Sequence, residues 1–262
     1  MSDQTTYHKW HLPLSHERNL EAYLRLRLID IDAALGNDYI AGLRLEFVSA
    51  SSIKVNPGVA FVQGFGRMRV SAAITVASIS LGAGAWGHVY LYSNSGVAAV
   101  EVVTTAPVNY FGSAWQKTGD TSRRYLGSVR TDASGNIYNF NHNPQTNFIR
   151  YRANQFLAPF RVLSNGVATS ATDVDCSAVV PVTLGGVAYF RVDNQSSASA
   201  VYFGASDGFT PSSAGGEEGV GTLRDMRAFL TLNPSRVLKY IFGLASGASG
   251  VYMDVHGYFF QR

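Results

Sequence analysis

Two glycine-framed motifs and several polar clusters are the places where residue type and spacing could do chemistry. Gly204-Ala205-Ser206-Asp207-Gly208 satisfies Gly-x-Ser-x-Gly, the pattern that raises a nucleophilic serine on a strand-to-helix turn. The residues that follow, Phe209-Thr210-Pro211-Ser212-Ser213, carry no helical period, so a plain loop after a strand is preferred. Gly82-Ala83-Gly84-Ala85-Trp86-Gly87 satisfies Gly-x-Gly-x-x-Gly, but a dinucleotide site needs a following helix whose N-terminus meets the pyrophosphate. Here the strand-like run His88-Val89-Tyr90-Leu91-Tyr92 comes next. His8, His11 and His16 could hold a metal, yet no cysteine or acidic residue completes a known ligand spacing. Glu217-Glu218 are neighbours in a Gly-rich loop, whereas glycoside hydrolysis needs carboxylates facing each other across several ångström.

Asp254, His256 and Tyr258 alternate along the last β-rich run, with Tyr252 at its start. An Asp–His pair can do acid–base work, but side chains two apart on a strand stand side by side rather than converge. A subunit interface, where Tyr is enriched, is the preferred reading for Tyr252, Asp254, His256 and Tyr258. The stretch Lys117–Phe140 crowds Asp120, Arg123 and Arg124 beside a turn at Asp132–Asn136. Arginines beside a sheet edge anchor neighbouring chains through carboxylate forks, so Arg123 and Arg124 are expected at a subunit or domain interface. No catalytic constellation emerges, and the chain is not expected to be an enzyme. A small hydrolase built on Ser206 or on Asp254 and His256 is the least favoured alternative.

The elements that must position these groups are mostly strands. Leu43, Leu45 and Phe47 alternate with Arg44 and Glu46. Pro57-Gly58 fits the centre of a turn, with Gly58 where positive φ is needed. His88–Val103 reads as a hairpin turning at Ser93-Asn94-Ser95-Gly96. After the Asn- and Pro-containing stretch 139–158, strands resume around Phe160–Leu163 and in Val187–Asn194, Ala200–Ser206, Met226–Leu232, Val237–Leu244 and Val251–Phe260. One helix is expected: Ser15 as N-cap, Leu20, Leu24, Leu28, Ile31 and Leu35 at three- and four-residue spacing, and Gly36 as C-cap. Its narrow stripe suits self-association through Leu24, Leu28, Ile31 and Leu35. The expected class is therefore mainly β. An arm with a short helix (1–37) precedes a small antiparallel β-domain (38–152) and a jelly-roll-like C-terminal β-sandwich (153–262).

Composition agrees. Of 262 residues only 15% are charged, while Gly numbers 26 and Tyr and Phe 14 and 15, a balance that favours strands and turns. The net charge of +3 is spread without a basic stripe, so nucleic acid is not an expected partner. Cys176 is the lone cysteine, which rules out an intrachain disulfide. The first residues lack a signal peptide's apolar core, and no run is long enough for a membrane span. Synthesis and folding in a cytosol, with no membrane insertion and no cofactor or metal, are expected.

Three segments resemble a known class. Leu12–Gly36, "LPLSHERNLEAYLRLRLIDIDAALG", is similar to N-terminal attachment segments of tailed-phage fibre proteins. "SIKVNPGVAFVQG" with "RRYLGSVRTDASGNIYNF" is similar to small β-domains of phage tail and virion structural proteins, and "DVHGYF" resembles the closing strand of compact β-sandwiches. The chain lacks a β-helical or coiled-coil shaft and the length of polysaccharide-degrading tailspikes. The resemblance implies a virion component assembled in the bacterial cytoplasm, homotrimeric, docked by its N-terminal part on other tail, baseplate or collar proteins. Its sandwich would face outward to bind a host cell-surface glycan or protein, with Tyr202, Asp207 and Phe209 as candidate receptor contacts. A collar, head-fibre or capsid-decoration protein without a receptor role is the alternative.

Overall fold

Twenty-one runs of strand-forming residues pair antiparallel in the computed structural model, which describes Gly36 and residues 38–205 and 210–262. They are β1 (Ile40–Gly42), β2 (Leu45–Ser49), β3 (Ser52–Val55), β4 (Gly58–Val62), β5 (Gly66–Val70), β6 (Ile74–Val76), β7 (Trp86–Asn94) and β8 (Val97–Val103). Next come β9 (Pro107–Phe111), β10 (Ala114–Lys117), β11 (Asp120–Arg130), β12 (Phe140–Asn143), β13 (Phe148–Tyr151), β14 (Arg161–Gly166) and β15 (Thr172–Asp175). The series closes with β16 (Leu184–Asn194), β17 (Val201–Ala205), β18 (Glu218–Val220), β19 (Arg224–Thr231), β20 (Val237–Phe242) and β21 (Val251–Phe260). No helix occurs among the described residues. The expected helix, with Leu24, Leu28, Ile31 and Leu35, lies outside them.

The largest sheet has nine strands in the order β19-β16-β21-β13-β12-β2-β3-β6, with β14 also paired to β21. A five-stranded sheet, β8-β7-β11-β10-β9, and smaller ones, β15-β20-β17-β18 and β1-β4-β5, accompany it. The boundary expected near Ala153 is crossed by the nine-stranded sheet: β13 before it pairs with β21 after it, Phe148 opposite Phe259 and Ile149 opposite Tyr258. Residues Asp38–Arg262 accordingly form one compact unit.

Period-two patterning decides which face is buried. On β16, Ala188, Phe190 and Val192 are fully buried, while Tyr189, Arg191 and Asp193 between them are half-buried. The inward side chains join a single core with those of the five-stranded sheet, where Tyr125 meets Phe260 edge-on at 6.3 Å and Trp86 meets Tyr258 at 6.4 Å. Edge-on ring pairs of this kind add about 0.5–1.5 kcal/mol beyond the area they bury. Gly127 makes the approach possible, because a Cβ there would stand 2.7 Å from Leu45 Cδ1 and 3.3 Å from Phe260 Cζ.

Local turn chemistry follows the sequence at two places and departs from it at a third. Asn94 pairs with Val97, leaving Ser95 and Gly96 as the turn, with φ of 52° and 87°; two left-handed residues match the twist of a hairpin. At Asp132–Asn136 the Asp132 carboxylate accepts from the amides of Ser134 and Asn136, each at 2.8 Å. The turn expectation for Gly58 needs correcting. Gly58 is not among the glycines of positive φ; it is required because β4 lies against Leu43, whose Cγ would be 2.8 Å from an added Cβ.

Candidate functional site

β21 carries a bulge that decides which side chains reach the open face of the nine-stranded sheet. Phe190 pairs with Val255 but the next residue, Tyr189, pairs with Gly257, so His256 is the extra residue. An extra residue reverses the side-chain parity beyond it. Asp254 and His256 therefore face outward with Arg191 and Tyr189, whereas Tyr258 and Phe260 turn into the core. The sequence expectation that Asp254, His256 and Tyr258 share one face is corrected by that single insertion.

Outward, the sheet presents a row of rings. Tyr189 and Phe229 are 4.9 Å apart, Phe229 and Phe259 5.6 Å, and Phe259 and Phe148 4.9 Å between centroids. Phe229 is 54% exposed. Below the row, Asp254 is fully buried and receives Arg161 through two bonds of 2.7 and 3.1 Å, and Arg191 at 3.3 Å. Arg191 also bonds Asp225 at 2.7 Å and Asp193 at 3.1 Å. This network is saturated within the chain and bears on folding rather than on a substrate. Burial lowers the pKa of His256 below its usual value, and Arg227 adds to the effect.

Further across the same face the sheet splays. β12 and β2 share one registered pair, Asn141 with Glu46, and the Leu45 amide donates to His142 Nδ1 at 3.0 Å instead of to a strand carbonyl. The splay opens a groove of ≈ 610 Å³, a size usual for small-molecule sites, lined among others by Arg44, Glu46, Asn141, Asn143, Phe148 and Arg150. Glu46 is already occupied: Lys54 approaches at 2.7 Å, Arg44 at 2.9 Å and Asn56 at 3.0 Å. The Lys54 and Asn56 hydrogen bonds hold its carboxyl at about 2, well below the usual range. Arg150, by contrast, is exposed and makes no ion pair or hydrogen bond through its side chain among the described residues. Gly257, opposite Arg150, keeps the surface open: an added Cβ would stand 2.8 Å from Phe148 Cζ.

No protein-family model matches this chain. Nor does a search of curated proteins return a match.

The residues singled out from sequence are scattered. Asp207 and Phe209, like Ser206 and the three histidines His8, His11 and His16, lie outside the described residues. Tyr202 sits on β17, half-buried, its ring carbons at 2.9 Å from a Cβ built on Gly219 and 3.3 Å from one built on Gly243. Arg123 lies 4.0 Å over the Tyr92 ring and 3.3 Å from Glu101. Arg124 is buried, donating to the Tyr110 hydroxyl and the Asp38 carbonyl at 3.0 Å each. Both arginines thus make these contacts within the chain. Tyr252 is half-buried under Arg161 at 5.0 Å. The buried Asn194 side chain donates to the carbonyls of Ser199, Val220 and Gly221. The groove residues were not foreseen, since their only sequence signal is outward parity on three strands whose pairing is non-local.

One buried cluster has the ingredients of nucleophilic catalysis. His88 Nδ1 lies 2.7 Å from Ser128 Oγ, which meets the Tyr125 hydroxyl at 2.7 Å, and that hydroxyl meets Thr183 at 2.8 Å. His88 is 4% and Ser128 2% exposed, and burial drops the imidazole to about 4. A serine without solvent access or a cleft has no substrate to attack, and the cluster serves to satisfy polar groups within the core. Among the described residues no group of His, Cys, Asp and Glu is arranged to hold a metal ion, and no helix is long and apolar enough to cross a membrane.

Proposed function

We propose that this chain is a structural protein of a tailed-bacteriophage virion, a short tail-fibre or baseplate-associated component. It docks by its N-terminal part on other virion proteins and displays its β-body, as a homotrimer, for binding to a host surface. The observation that carries this reading is the open face of the nine-stranded sheet, where rings, an uncommitted guanidinium and a groove lie together on a scaffold with a continuous core. Binding groups held on a rigid sheet need little ordering on contact, which favours recognition. Three copies of a weak site multiply apparent affinity without new contacts.

A second reading, a collar, head-fibre or decoration protein, is favoured by Leu223 and Leu244. They are 68% and 71% exposed, and both backbones are anchored on the Ser196–Ser199 loop, which suits an apolar contact with a neighbouring virion protein.

The test is immunogold electron microscopy with antibodies against residues 38–262, applied to particles released from cells that carry the gene. Gold at tail tips or baseplates is the expected result. Gold on heads or collars selects the second reading, and unlabelled particles refute both.

A further inference from the structure

We infer that the groove at the β2–β12 seam binds an anionic glycan, with Arg150 taking the acidic group and Phe148 the sugar ring. The inference rests on the proposed role in host-surface binding and assigns that role a place and a ligand class.

Charge sets the sign of the ligand. Around the seam stand four cations, Arg44, Lys54, Arg150 and Arg262, against one carboxylate, Glu46, which already holds Arg44 and Lys54, while Arg262 is buried on the carbonyls of Leu43, Gly42 and Pro144. Arg150 is the guanidinium that is left over, and a planar fork of donors suits a carboxylate in two parallel bonds. Directly opposite it on β12 is Asn141, exposed and without a hydrogen bond through its side chain among the described residues. Its amide both donates and accepts, as sugar hydroxyls require.

Shape and polarity set the class. Asn143 pairs with Phe148 and Asn141 with Arg150, so two amides face a ring and a guanidinium across adjacent strands. The ring of Phe148 also borders Phe259 at 4.9 Å and Tyr189 at 6.3 Å. The groove therefore opens at one end onto a longer aromatic row, along which further sugar units of a chain can lie. A docked peptide helix or strand needs deep apolar pockets or a free sheet edge. In the groove Phe140 and His142 are buried in the floor and Phe148 is the ring that reaches solvent, among amides and charges in the middle of a sheet, so it offers neither.

The experiment is retention of the purified full chain on an array carrying uronate- and sialate-containing oligosaccharides beside neutral ones, read at low and at physiological salt. Acidic glycans are expected to be retained over neutral ones, more weakly as salt rises. Arg150→Gln is expected to weaken retention by about tenfold or more, the usual loss for a charge-assisted bond. Phe148→Leu weakens it as well. Arg69→Gln removes the same charge from exposed β5 and should leave retention unchanged. Arg150 has no partner to lose, so an unaltered thermal melt of Arg150→Gln is expected and shows that the fold is intact. Retention of no acidic glycan, or retention indifferent to Arg150→Gln, overturns the inference. So does binding of the labelled protein to bacterial cells that survives periodate oxidation of their sugars but not proteolysis of their surface. In that case tail labelling by immunogold still stands, and only the ligand class falls.

Discussion

Acidification from pH 7 to pH 5 should remove about 4 kcal/mol of stability, through two buried imidazoles. His88 and His142 are each nearly fully enclosed, and burial lowers them from 6.5 to about 4 and about 3; for His142, nearby Arg262 and Arg44 lower it further. In the unfolded chain both titrate near 6.5, so between pH 6.5 and 4 the unfolded state binds protons that the native state refuses. Stability must therefore rise with pH in this window and fall as pH drops. Each group contributes about 2 kcal/mol between pH 7 and 5, and two protons give a limiting slope of about 2.7 kcal/mol per pH unit. The carboxylates with lowered pKa, Glu46, Asp120 and Asp132, add their loss only as pH falls further, through the carboxylate range. Urea titrations at half-unit pH steps measure the slope. A slope of at most one proton, or one unchanged in the double variant His88→Gln/His142→Gln, would refute the argument.

Other consequences are open to direct measurement. Arg262 donates to Asn147 Oδ1 at 2.8 Å and to the carbonyls of Leu43, Gly42 and Pro144 at 3.0–3.1 Å. Arg262→Ala strands those acceptors and should cost about 2–4 kcal/mol in chemical denaturation; a loss under about 1 kcal/mol contradicts the clamp. Asp254→Ala leaves Arg161 and Arg191 facing each other and should cost about 2–3 kcal/mol, below the full buried-pair value because both arginines keep some solvent. Cys176 is fully enclosed and burial pushes its thiol well above the ordinary value. It should resist a thiol reagent at pH 8 in the native protein and react promptly in urea; rapid native labelling would count against the packing around Val179 and Val180.

Strand existence was readable because alternation is a local signal, as Val187–Asn194 illustrates; in Leu43-Arg44-Leu45-Glu46-Phe47 the strand begins only at Leu45, since Leu43 has a φ of 52°. The hairpin at Ser95-Gly96 was readable for the same reason. Pairing was not. The partner of β13 lies a hundred residues away, and nothing near Ala153 announces that one sheet continues across it. The outward set on β21 was misassigned because a bulge leaves no mark in composition: parity held from Val251 to Val255 and reversed after His256. The groove was invisible for a related reason. It depends on β2 and β12 meeting at a single pair, a property of two remote strands and of the His142 side chain that takes a backbone's place.

The position of β21 has a consequence for synthesis. It is the strand to which β13, β14 and β16 all attach, yet Val251 follows Tyr151 by 100 residues. A ribosome adding about 5–20 residues per second needs several seconds or more to bridge that gap. Throughout that time β13 has an unpaired edge, and Ile149 and Tyr151 lack the cover that Tyr258 supplies. Nascent chains crowded on one messenger could pair there with each other before β21 emerges. Yield of folded protein should therefore depend on translation rate and chaperone supply more steeply than native stability alone would suggest, with losses appearing as aggregates of chains shorter than about 260 residues.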